Sequence, residues 1–135
     1  MQFGIQLHGD RGADAVLREA RLADEQGFDS VWLFDHLLGF RGTHVPHEPL
    51  DSFTLMTAVG AVTSRVRLAW AMLNPSFRNP AVLAKMLATL DVITHGRVIC
   101  SLGAGWFEEE YRAYDLQFSM SMPIAFATSA KWSGC

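Results

Sequence analysis

Ser30-Val31-Trp32-Leu33-Phe34-Asp35-His36 is a short β-branched and aromatic run that ends abruptly in an acid and an imidazole. Its length suits a strand better than a helix. Three other apolar runs share this form: Phe3 to Leu7, Val66 to Leu73 and Arg97 to Leu102. Their starts lie roughly thirty residues apart, the length of one strand-helix-strand step.

The segments between them carry helical spacing. Ala13, Val16, Leu17, Ala20 and Ala23 lie on one face, with Arg18, Glu19 and Asp24 largely off it, until Gly27 supplies a stop. A second helix is predicted from Asp51, a suitable N-cap, through Leu55, Ala58 and Val62, ending before Arg65. A third starts at Asn79-Pro80, buries Leu83, Leu87 and Leu90, and stops at Gly96. A fourth begins near Phe107, with Glu108, Glu109 and Glu110 in its first turn. These carboxylates complement the helix N-terminus, although Glu110 could turn inward.

Strands alternating with helices predict an α/β fold with a parallel sheet, either doubly wound or closed into a barrel. The first strand-to-helix turn, His8-Gly9-Asp10-Arg11-Gly12, lacks the G-x-G-x-x-G pattern of a dinucleotide fold. Every strand also ends in polar or turn residues: His8, Asp35-His36, Asn74-Pro75 and Gly103. That is the face on which β/α barrels build their active sites. The expected architecture is the first four βα units of a (β/α)8 TIM-type barrel, truncated before closure, over residues 1–118. A divergent tail is expected over 119–135.

The 135 residues are half hydrophobic and carry a formal charge of -3. With no basic cluster, they offer no electrostatic grip on nucleic acid or an anionic membrane. No signal peptide precedes the first strand, and no apolar run reaches membrane-spanning length, so a cytoplasmic protein with a small-molecule substrate is expected. Cys100 and Cys135 form neither a disulfide framework nor a metal motif, and Cys100 reads as a small core residue.

Asp35-His36 places two titratable groups at the mouth of the sheet, where His36 could exchange protons near neutral pH. A turn-capping Asp followed by an exposed His satisfies the same pattern. Small residues amid large ones in Ala69 to Pro75 leave room for a planar ring, and core packing explains them equally well. Gly103-Ala104-Gly105 would let a ligand approach the main chain, as would any tight turn. His44 and His47-Glu48 have ligand-like spacing but no third partner at a typical interval, so no metal site is expected.

Taken together, Gly27-Phe28-Asp29-Ser30-Val31-Trp32, Asp35-His36, Val66-Arg67-Leu68, Asn74 through Pro80, Leu90-Asp91-Val92 with Gly96-Arg97, and Gly103 through Tyr111 form a specific set. On these segments the chain resembles the luciferase-like monooxygenase superfamily, in its branch that uses the deazaflavin F420. The resemblance covers the N-terminal half of that family's barrel. It implies an oxidoreductase that moves a hydride between F420, or alternatively FMN, and an organic substrate. It makes His36 the proton donor or acceptor, with Asp35 holding its neighbours. It places the ring against Ala71, Met72, Asn74, Gly103, Ala104 and Gly105, with a non-proline cis peptide at Ala71-Met72. Trp106 stands where some sugar-phosphate dehydrogenases of this branch carry an acidic residue, which leaves the substrate class open. Asp115 stands where the family usually turns with Gly. With half a barrel's open sheet edges, the chain is expected to be a homo-oligomer, and a non-catalytic remnant of the same fold is the rival reading.

Overall fold

A computed structural model describes residues 1–39 and 49–118 of the chain. Strands β1 (Gly4–Gln6), β2 (Ser30–Leu33), β3 (Arg67–Trp70) and β4 (Val98–Ile99) alternate with helices α1 (Ala13–Glu25), α2 (Ser52–Val62), α3 (Pro80–Ile93) and α4 (Glu108–Ala113). The sheet runs β1-β2-β3-β4, parallel throughout, with Ile5 opposite Val31, Val31 opposite Leu68, and Leu68 opposite Val98. Strand order that follows chain order without reversal is the winding of a β/α barrel, and the described residues hold four of its units.

Alternation along each strand sends Val31, Leu33, Leu68 and Trp70 toward the helices. There they join Val16, Ala20, Phe53, Met56, Val59, Leu83 and Leu90 in one buried core. Ser30, Trp32 and Ala69 take the opposite face, where Trp32 Nε1 donates to Ser30 Oγ at 2.8 Å.

The helices start where the sequence predicts. Asp51 Oδ1 accepts from the Thr54 N–H at 2.8 Å. Asn79 Oδ1 accepts from Ala81 and Val82, and Pro80 occupies the position where a missing N–H costs nothing. Both α2 and α3 are apolar well beyond their core-facing stripes. Between them lies a groove of about 640 Å³ lined by Phe53, Thr57, Val82, Met86 and Ile93.

The base of the sheet is tied by two polar side chains. Asp24 accepts from the backbone N–H groups of Ser64, Arg65 and Val66 at 2.7–2.8 Å. Arg97 donates to the Gly60 and Thr63 carbonyls, acceptors left at the end of α2, and to the Val66 carbonyl just before β3.

The fourth strand is shorter than its apolar run. After Ile99 the chain leaves the ladder, and Leu102 returns to it through a lone parallel bridge with Leu73. Ser101 Oγ bonds the Trp70 carbonyl across this gap. Cys100 is therefore half-buried rather than a core residue, and burial pushes its thiol up from the ordinary range. The Ala71-Met72 peptide is cis, where the resemblance implies one. Asp115 turns with φ 52, the left-handed conformation a glycine would otherwise supply. His44, His47, Glu48 and the expected tail over 119–135 lie outside the described residues.

Candidate active site

The C-terminal ends of the four strands bring together His8, Asp35-His36, Asn74 and the Gly103-Ala104-Gly105 turn. A small cleft there is lined by His8, Asp10, Phe34, His36, Leu38 and Ser52, among others.

Asp35 is buried and fully engaged. Its Oδ1 accepts from Ser52 Oγ at 2.6 Å and from Arg78 Nη2 at 3.1 Å; its Oδ2 accepts from the Asn74 N–H at 2.9 Å and from Arg78 Nη1 at 2.8 Å. Arg78 also reaches Asp51 Oδ2 at 2.7 Å. Burial alone would push the guanidinium down, but hydrogen bonds and charge from Asp35 and then Asp51 outweigh it and raise it. Burial likewise pushes the Asp51 carboxyl up, but its Thr54 bonds and the Arg78 charge leave it below the ordinary carboxylate value. Asp35 thus ties the end of β2 to the start of α2 and the turn after β3.

His36 is held from the other side. Its Nδ1 lies 3.1 and 3.2 Å from Glu110 Oε1 and Oε2. Glu110 is 1% exposed, and its Oε2 also accepts from the Leu37 N–H at 3.0 Å. Rings surround the imidazole: Phe34 at 6.2 Å, Trp106 edge-on at 5.9 Å, and Phe107 edge-on at 6.3 Å between centroids. Phe34 and Trp106 keep much of their surface exposed beside it, as does Met72 at the end of β3.

Asn74 turns inward. Its Nδ2 donates to the Tyr111 hydroxyl at 2.6 Å, and its Oδ1 accepts from the Ser76 N–H at 3.0 Å. The same hydroxyl donates to the Ala104 carbonyl at 3.3 Å. Gly105 has φ 80, and a Cβ there would collide with the Tyr111 hydroxyl and stand 2.8 Å from Asn74 Nδ2. A Cβ on Gly103 would stand 2.8 Å from Met72 Cε. Gly105 is thus demanded by its φ and by the Tyr111 hydroxyl, whereas at Gly103 the flexible end of Met72 could move aside. The three glutamates at the start of α4 disfavour an anion at that helix end.

Arg78, Ser52 and Tyr111 carry no role in the linear reading, although Arg78 and Tyr111 fall within segments that make the resemblance specific. Their partners lie far away in the chain. Among the described residues no cluster of His, Cys, Asp and Glu could hold a metal ion, and no helix is long and apolar enough to cross a membrane.

Four parallel βα units carry a histidine and a cup of aromatic and apolar side chains at the strands' C-terminal ends, the face on which β/α barrels build their sites. Residues 1–125 match the luciferase-like monooxygenase family, and the chain belongs to it. It is 43% identical over 97 residues to the F420-dependent glucose-6-phosphate dehydrogenase of Amycolatopsis mediterranei (strain U-32), a match covering 70% of this chain and 28% of that one. The monooxygenase RslO1 of Streptomyces bottropensis superposes with a TM-score of 0.72 at 35% identity, over 89% of this chain and 37% of that one. The coenzyme F420-dependent tetrahydromethanopterin reductase of Methanopyrus kandleri gives 0.71 at 27% identity, over 87% and 30%. The chain spans about three-tenths of the length of curated relatives it matches, 28% and 31% of two of them.

Proposed function

We propose that this chain supplies the ring-side half of the active site of an F420-dependent oxidoreductase acting on a small organic substrate. One observation carries the reading. His36 ends β2 on the active-site face, held by the buried Glu110 and set among Phe34, Trp106 and Phe107. The exposed apolar surfaces of Phe34, Met72 and Trp106 fit a planar ring rather than a charged ligand. The F420-dependent relatives support that cofactor over FMN.

When bound, the cofactor's ring accepts or gives a hydride. The protein's part is to orient the substrate and move the accompanying proton. His36 takes a proton from the substrate's heteroatom as the neighbouring carbon loses its hydride, and returns it in the reverse direction. Asp35 does not touch substrate in this reading; through Arg78, Ser52 and the Asn74 backbone it positions the loops on either side of His36. Met72 and Gly103 shape one wall of the ring site, with Ala71 and Ala104 beside them. Asn74 and Gly105 act indirectly, through Tyr111. Arg78 is committed to Asp35 and Asp51, so it does not serve as an anchor for the cofactor's phosphate.

The reading extends to a cytoplasmic protein and to self-association, the latter supported by the apolar groove between α2 and α3. Absorbance of the protein titrated with F420 and with FMN tests the cofactor. Binding of F420 is expected; a response to FMN alone overturns the choice, and a response to neither favours the remnant.

A further inference from the structure

We infer that Glu110 is a positioning residue that holds neutral His36 in the tautomer with its proton on Nδ1, which makes Nε2 the atom that exchanges a proton with substrate. The inference rests on the reading of His36 as the proton-exchanging group and names the atom that performs it. Its basis is a donor and acceptor count around one buried carboxylate.

Glu110 is 1% exposed, and its oxygens face two groups on the strand-end loop. One is the Leu37 N–H, 3.0 Å from Oε2, which can only donate. The other is His36 Nδ1, 3.1 Å from Oε1 and 3.2 Å from Oε2. An ionised carboxylate only accepts, so both neighbours must be donors. Nδ1 therefore carries a hydrogen, and in the neutral ring the lone pair falls to Nε2. The Leu37 bond fixes the carboxylate's orientation from the backbone. Phe34, Trp106 and Phe107 pack around the ring and limit its rotation.

Replacing the carboxylate by its amide makes a directional prediction. In Glu110→Gln the Leu37 N–H still needs an acceptor, and an amide has a single oxygen. That oxygen goes to Leu37, and the NH2 group is left facing His36 Nδ1. Nδ1 then meets a donor at the nearer position and, at 3.2 Å, only an oxygen already bound to Leu37, so the preference for a hydrogen on Nδ1 weakens and the Nε2–H tautomer gains population.

The test is a long-range proton–nitrogen correlation spectrum of the full chain labelled with 15N-histidine, in solution or by magic-angle spinning, at a pH where the imidazole is neutral. His36 is assigned among the five histidines by loss of its signals in His36→Gln. The wild type is expected to show a protonated Nδ1 and an unprotonated Nε2, and Glu110→Gln a larger share of the reverse tautomer. A bare Nδ1 in the wild type would mean that Glu110 itself carries the proton, and overturns the inference without any variant. A tautomer population identical to the wild type's in a folded Glu110→Gln protein also overturns it. The spectrum needs neither cofactor nor turnover. Failure of the F420 reading, seen as no response in the cofactor titration, is therefore distinct from failure of this assignment.

Discussion

Arg78 grips Asp35 through two parallel hydrogen bonds, Nη1 to Oδ2 at 2.8 Å and Nη2 to Oδ1 at 3.1 Å, across 43 residues of chain. The carboxylate is 4% exposed, so its desolvation is offset mainly by this contact. Arg78→Ala would leave a buried charge without its counter-ion, at an expected cost of about 3 kcal/mol or more in urea unfolding. Arg78→Lys should restore only part, because an ammonium cannot make the paired fork. A loss below about 1 kcal/mol for Arg78→Ala would show that Asp35 is not held this way.

His36→Ala addresses the chemistry directly. In an active preparation, turnover is expected to fall about 10²-fold or more, as for loss of a general acid or base. Cofactor affinity should stay within a few-fold. Steady-state rates and a cofactor titration on the same sample separate the two effects, and unchanged turnover removes His36 from the reaction.

Gly105 and Gly96 share nearly the same φ, 80 and 82, but not the same surroundings. A Cβ on Gly96 meets nothing within 4 Å, so Gly96→Ala should cost only backbone strain, about 1 kcal/mol. Gly105→Ala adds a collision with Tyr111 and Asn74 and should cost about 1–3 kcal/mol more. Thermal unfolding of the two variants compares them. Equal losses would mean that the Asn74–Tyr111–Ala104 network does not depend on the glycine.

Asp24 links stability to pH. Its burial pushes the carboxyl up, but bonds from the Ser64, Val66 and Arg65 backbone outweigh this and lower it. A lowered folded value means the stabilisation is fully present above the unfolded value, near 3.9, and is lost as pH falls through the folded value. Asp24→Asn is expected to cost about 1 kcal/mol at neutral pH after allowing for solvent screening. That difference should shrink as pH drops below about 4. Denaturant melts of both proteins across this range check it; a constant difference would show that the Asp24 charge contributes nothing.

The isolated chain should associate with itself and bind F420 weakly. A closed barrel of about 250 residues pairs every strand, whereas among the described residues β1 and β4 each have one neighbour. Val82, Val92 and Ile93 add exposed apolar surface on α3. Sedimentation velocity at several concentrations, with and without F420, reads this out. A stable monomer with micromolar affinity would count against both the open-edge argument and the need for further barrel units.

Much of this molecule is written in local pattern. The stripe from Ala13 to Ala23, the Asp51 cap and the Asn79-Pro80 start are legible because capping and periodicity act within one or two turns of helix. The end of β2 is legible for the same reason: an apolar run that stops at Asp35-His36 marks the mouth of a parallel sheet. The extent of β4 was not, since an apolar run from Arg97 to Leu102 does not reveal that its ladder is interrupted after Ile99. Nor do residue types along the chain pair Arg78 with Asp35, or say which of three consecutive glutamates serves His36 from 74 residues away. Glu108, Glu109 and Glu110 are chemically the same. Only the packing of α4 against the strand ends, which buries Glu110 with Tyr111 and leaves Glu108 and Glu109 exposed, decides that the third carboxylate meets the imidazole.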